Sequence, residues 1–171
     1  MILPRRTARA ISIVVLTGVT AGRAVAQQQP APTSKSELVV GRDDFQQLRW
    51  IAGRWRVESA GVPAAFERYR FADDSTLVVE RFSDNKFRSP SSTVRYELRG
   101  HRVTTSGGPV SWILTGLGRT NAAFRTTTGT PTEAIWRQHD DDEWIAVLSW
   151  PPTVDQPARM VTYRMKRLRG S

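Results

Sequence analysis

Asp43-Asp44-Phe45-Gln46-Gln47-Leu48-Arg49-Trp50-Ile51-Ala52-Gly53-Arg54-Trp55-Arg56-Val57 changes its periodicity part-way along, and that change decides the fold. Asp43 or Asp44 can cap a helix, with Gln46 or Gln47 three residues on completing a capping box, and Phe45, Leu48 and Ile51 recur at helical spacing. Gly53 supplies the residue without Cβ that a helix C-terminus prefers. From Trp55 the pattern alternates, Trp55 and Val57 on one side, Arg54 and Arg56 on the other, as in a strand. The stretch predicts one short helix from about Asp44 to Ala52 that hands over directly to a first strand.

Downstream of Gly53 the alternation persists. Residues 54–58, 66–71, 76–82, 93–99, 102–105, 111–117, 122–127, 133–139, 143–150 and 160–168 each read as a strand. The breaks between them are turn chemistry, among them Ala72-Asp73-Asp74-Ser75, Ser83-Asp84-Asn85, Arg99-Gly100-His101, Ser106-Gly107-Gly108-Pro109 and Asp140-Asp141-Asp142. Short strands with no helix between them imply a meander, and at this length a closed barrel buries its edges better than an open sheet. The expected fold is therefore mostly β: an antiparallel up-and-down barrel of about eight to ten strands, one end covered by the N-terminal helix.

The N-terminus reads differently. In residues 1–26, Arg5, Arg6 and Arg9 form a positive n-region, Ala10 to Val19 an apolar stretch, and Ala24-Val25-Ala26 a small-x-small cleavage site. This predicts a signal peptide cleaved near Ala26 and a periplasmic or secreted protein. The apolar stretch is shorter than the roughly 20 residues a membrane span needs, so no stable membrane insertion is expected. Residues 27–42, rich in Gln, Pro, Ala and Ser, read as a flexible leader in which Leu38, Val39 and Val40 lead into the helix. Residues 43–171 then form one barrel domain.

Composition removes several functions. The chain has no Cys, which excludes disulfides, thiolate metal sites, a Cys nucleophile and a lipid-modified cysteine. The net charge of +9 falls to an excess of five once Arg5, Arg6, Arg9 and Arg23 leave with the signal. The remaining basic residues are scattered singly along strands, which is no nucleic-acid footprint. The one cluster, Arg164, Lys166, Arg167 and Arg169, reads as a solvated strand end, with a polyanion or membrane surface as the alternative.

All six tryptophans lie in the barrel domain. So many rings either fill the barrel as core or line a cavity for an apolar ligand. Filling is the default for a small barrel. Tyr69 and Phe71, Val94, Tyr96 and Leu98, Trp112 and Leu114, Ile135, and Trp144, Ala146, Leu148 and Trp150 fall on single faces of their strands. Ile145 and Val147 make their strand apolar on both faces, as if it also touched the helix or a partner.

Gly53-Arg54-Trp55 after a short helix resembles the Gly-x-Trp motif that opens the first strand in the lipocalin and calycin group. Leu48 to Trp55 is similar to the opening of bacterial lipocalin-like domains of unknown function. The match spans about a dozen residues. It implies that an Arg of the last strand, here Arg164 or Arg167, packs over Trp55 and closes that end of the barrel by a cation–π contact. It also implies a small-molecule site inside. The chain departs from the group in lacking disulfide cysteines and the Arg-x-Tyr pair with which fatty-acid-binding proteins hold a carboxylate. Nitrobindin is a more distant likeness that implies shape; its haem needs a His near the C-terminus, and this chain has only His101 and His139, both at turns.

No catalytic or metal motif accompanies these features. His139-Asp140-Asp141-Asp142-Glu143 lies where a hairpin turn is needed, and consecutive carboxylates in a turn diverge. Gly116-Leu117-Gly118 lacks the context of a dinucleotide loop, and there is no nucleophile elbow or His-Glu-x-x-His helix. Glu67 and Glu80 could form a carboxylate pair inside the barrel, but the expected role is outward, in salt bridges with neighbours such as Arg68 or Arg81. Arg68, Arg95 and Arg137 are central in their strands and must face water or be paired; one turned inward beside Tyr96 or Trp136 would require an anion.

These readings converge on a non-enzymatic barrel, without cofactor or metal and monomeric, that binds a small apolar or amphiphilic molecule. Trp55, Tyr69, Tyr96, Trp112, Trp136 and Arg137 are the candidate ligand-binding residues. The alternative is a filled barrel acting as a structural or protein-interaction module in the cell envelope.

Overall fold

The computed structural model describes residues 38–170. The expected signal peptide and the leader as far as residue 37 lie outside the described residues. Ten strands follow a short helical segment: β1 Gly53–Ser59, β2 Val62–Asp73, β3 Thr76–Phe82, β4 Ser92–Arg99, β5 Arg102–Ser106, β6 Trp112–Gly118, β7 Asn121–Thr126, β8 Glu133–Gln138, β9 Glu143–Trp150 and β10 Arg159–Arg167. Each pairs antiparallel with the next, and β10 pairs with β1, so the barrel closes and leaves no edge. The expected strands match in number and order. The longest difference in extent is in β2, which starts at Val62 because a register shift between Val57 and Ser59 lets the β1–β2 hairpin continue past the barrel wall.

The helical segment differs in detail from its sequence reading. It is an α-helical turn, α1 Arg42–Gln46, running into a 3₁₀ turn over Gln47–Ile51. The cap position is Gly41, not Asp43 or Asp44; the Asp44 carboxylate instead accepts the Gly41 N–H at 2.8 Å. In a 3₁₀ turn, residues three apart eclipse one another, so the spacing of Phe45, Leu48 and Ile51 aims all three at the barrel. Each is 0 % exposed. The packed fold also reaches back before Asp43. Val40 is buried, and its N–H donates to the His101 carbonyl at 2.9 Å, tying the end of the expected leader to the β4–β5 turn.

At the helix end the barrel is closed by one side chain stacked on another. The Arg167 guanidinium lies 4.1 Å from the centroid of the Trp55 ring. It donates to the carbonyls of Ala52 (2.8 Å), Trp50 (3.1 Å) and Asp141 (2.6 Å). The Trp55 indole N–H donates to the Ile51 carbonyl at 2.7 Å, which satisfies a free acceptor at the end of the helical segment. Gly53, with φ of 141°, sits beneath the Arg167 head group, where a Cβ would overlap Nη1. The rest of the C-terminal basic cluster is absorbed by acids: Arg164 by Glu143 at 3.3 Å, Lys166 by Glu58 at 2.9 Å, and Arg169 by Asp142.

The outer wall of β3 is also buried, which alternation alone does not predict. Val78, Glu80 and Phe82 face outward, yet all three are covered. The β3–β4 connection folds back so that Phe87, held at φ of 53°, packs its ring edge-on against Phe82 at 5.0 Å and Phe66 at 6.3 Å. Glu80 is paired as expected, with Arg68 at 2.7 Å and Arg70 at 3.4 Å, and the Arg68 hydrogen bond holds its carboxyl below the usual range.

Candidate functional site

The interior divides into two halves along the barrel axis. Toward the helix it is solid: Trp144 meets Trp50, Trp55 and Tyr69 edge-on at 5.5 to 6.0 Å, and Phe45 meets Phe71 at 5.7 Å. Such edge-to-face pairs each contribute about 0.5–1.5 kcal/mol beyond the area they bury. Toward the other end, where β1, β3 and β9 finish and β2, β4 and β10 begin, the barrel contains a cavity of about 270 Å³. The aromatic residues thus fill one half of the barrel and line a space in the other.

Tyr69, Tyr96 and Trp136 form the inner wall of the cavity with Phe124. The Trp136 ring lies 4.5 Å from Phe124, 5.2 Å from Tyr96 and 6.1 Å from Tyr69. Trp112 lines it near the mouth, its backbone N–H held by the Thr105 hydroxyl at 2.8 Å. Ala134 and Ala146 leave the space that larger residues would fill, and Leu148, Tyr163 and Met165 complete the far side.

Of the six residues singled out in the sequence, four therefore line one cavity. Trp55 does not: it belongs to the plug beneath. Arg137 does not either. Its neighbour Trp136 faces inward, so alternation turns Arg137 to the outside, where it is exposed. Ile135 shares that outer face and is 39 % exposed, with Val147 beside it on β9; Ile145 lies next to Arg137 and Arg164. Arg68 and Arg95 also lie on the outer face.

The inward charges are ones that the sequence reading placed outside. Glu67 is two residues from Tyr69 on β2, and the same alternation that turns Tyr69 inward turns Glu67 inward; Arg81 follows Leu77 and Val79 on β3 in the same way. Glu67 Oε2 accepts the Tyr69 hydroxyl at 2.7 Å, and its Oε1 is 3.9 Å from Arg81 Nε, beyond hydrogen-bond range. The two differ in depth: the Glu67 side chain is 17 % exposed and that of Arg81 is 53 % exposed. Burial raises the Glu67 carboxyl above its ordinary range, opposed by the Tyr69 hydrogen bond and the Arg81 charge. Burial, reinforced by the Glu67 charge, likewise pushes Tyr69 and Tyr96 up, so both keep their O–H protons.

The remaining polar candidates lie away from the cavity. His101 and His139 are exposed in turns. The acidic run 140–142 forms the β8–β9 turn, in which Asp140 accepts the Asp142 N–H at 2.8 Å. Among the described residues no three His, Asp or Glu side chains converge as a metal site would require, and no helix is long and apolar enough to cross a membrane.

No family model matches the chain, and no curated protein does. Among solved structures the barrel is similar to a single-site mutant of the fluorescent protein UnaG, at TM-score 0.46 and 10% identity over 72% of this chain and 99% of that one. Two others are EF1p2_mFAP2b bound to DFHBI, at 0.38 and 10% over 73% and 99%, and the redesigned β barrel b11L5F_LGL, at 0.34 and 12% over 78% and 100%.

Proposed function

We propose that this chain is an exported lipocalin-like barrel that binds a small apolar or amphiphilic molecule and performs no chemistry on it. The observation that carries this reading is the aromatic-walled cavity, placed opposite the helix and containing a few polar groups in an otherwise apolar lining. Its volume of about 270 Å³ is close to the lower end of the range of small-molecule pockets, about 300–1,000 Å³. The Gly-x-Trp resemblance supports the lipocalin-like assignment, since the last-strand arginine that it implies is Arg167, stacked on Trp55.

Titration of the mature protein with an uncharged polarity-sensitive dye tests the reading, because Trp112 and Trp136 line the cavity and report occupancy by quenching. Saturable quenching is expected, and Ala146→Leu, which narrows the cavity from β9, should weaken it while the fold remains intact. Absence of saturable quenching in folded protein up to high micromolar dye would refute cavity binding and favour a surface-interaction role. Export is tested separately by sequencing the N-terminus of the protein recovered from its host, which should begin near Gln27.

A further inference from the structure

Resting on that cavity reading, the geometry points to a ligand whose polar end is a cationic or N–H hydrogen-bond donor, an amine in the simplest case, seated on the Glu67 carboxyl. A carboxylate offers about four acceptor positions. Glu67 uses one of them for a hydrogen bond, to the Tyr69 hydroxyl. Its other oxygen faces Arg81 at 3.9 Å, an ion pair without a hydrogen bond. The acceptor capacity left over is open to the cavity, since the Glu67 side chain is 17 % exposed, and a donor on the ligand can reach it.

Arg81 does not make the site an anion site. Its guanidinium is half-exposed at the mouth, where water screens it, whereas the carboxyl lies deeper among the rings. An incoming anion would have to approach Glu67, and the like charge would disfavour it. An incoming ammonium would displace only a distant contact, and Arg81 can swing into solvent. The walls add to the same preference. Trp136, Tyr96, Phe124 and Tyr69 line the same cavity as the carboxyl, and aromatic rings attract cations at their faces. Besides Glu67, the titratable groups lining the cavity are Tyr69, Tyr96, Tyr163 and Arg81, and burial keeps the Tyr69 and Tyr96 hydroxyls protonated, so neither supplies a competing negative charge.

A matched set of eight-carbon probes decides the matter. Octylamine, octanol and octanoate each displace the uncharged dye in competition, followed by tryptophan emission. Octylamine should bind about tenfold or more tighter than octanoate, with octanol between them. Glu67→Gln should bring octylamine and octanoate to within about threefold, whereas Glu97→Gln, the same charge change on the outer wall, should preserve the difference. Arg81→Met gives a second reading that does not depend on Glu67→Gln folding: it should strengthen octylamine and weaken octanoate. Octanol binding accompanied by equal or tighter binding of octanoate would overturn the amine preference and leave the cavity reading standing. Failure of all three probes and of the dye would overturn both.

Discussion

Replacing Trp55 with Ala tests the plug on which the rest of the barrel depends. The ring is 1 % exposed, meets Trp144 edge-on at 6.0 Å, donates its N–H to Ile51 and carries the Arg167 guanidinium on its face. Truncation of a buried Trp costs about 3–5 kcal/mol through lost transfer energy and the cavity left behind. Within that figure the Ile51 hydrogen bond accounts for about 0.5–1.5 kcal/mol, and the cation–π contact for about 0.5–2 kcal/mol. Urea titration followed by near-UV circular dichroism reads the sum. At a slope of about 2 kcal/mol/M the midpoint should fall by roughly 1.5–2.5 M. Arg167→Met, made alone and with Trp55→Ala, isolates the stacked pair, and the coupling energy should be about 0.5–2 kcal/mol. A loss below about 1 kcal/mol for Trp55→Ala would refute the argument that this residue closes the barrel, since a buried ring cannot be removed so cheaply.

Gly53→Ala should destabilise by about 1–3 kcal/mol, because the backbone sits at φ of 141° and the new Cβ collides with Arg167; a thermal melt unchanged from wild type would refute the close approach. Phe87→Ala should cost about 3 kcal/mol by uncovering Phe66 and Phe82 on the outer wall, while dye affinity stays the same; an altered affinity would mean that the β3–β4 connection reaches the cavity. Glu67 should make the empty barrel less stable as pH rises. The unfolded glutamate ionises near its ordinary value of 4.5, while burial holds the folded carboxyl protonated to higher pH, so between those two values the folded state binds more protons and loses stability with increasing pH. Glu67→Gln should therefore gain on wild type across that window in urea titrations at several pH values, and a constant difference from pH 4 upward would show that the carboxyl is not desolvated.

The sequence by itself determined the elements and the plug, because both rest on local physics. Period-two alternation bounded by Gly, Asp, Asn and Pro turns marks each strand wherever it packs, and Phe45, Leu48 and Ile51 at three-residue spacing mark a helical face. Gly53 and Trp55 locate the closed end, although which arginine stacks there waited on register: Arg167 pairs with Trp55 across β1 and β10, while Arg164 lies opposite Glu58 on the outer side. Alternation also contained the inward direction of Glu67, two residues from Tyr69, and the outward direction of Arg137, next to Trp136. What hid both was that charge by itself argues for solvent, and only a neighbour's ring overrides it. Leu77, Val78 and Val79 left β3 without a readable face, since Phe87 covers its outer wall from nine residues beyond Val78, a contact no local pattern encodes. Whether the rings fill the barrel or line a space was decided only by tertiary structure. Trp and Tyr rings pack solid beside the helix and line a cavity toward the mouth, because the helical segment supplies Phe45, Leu48 and Ile51 to one end, whereas the cavity at the other is lined by strand side chains alone.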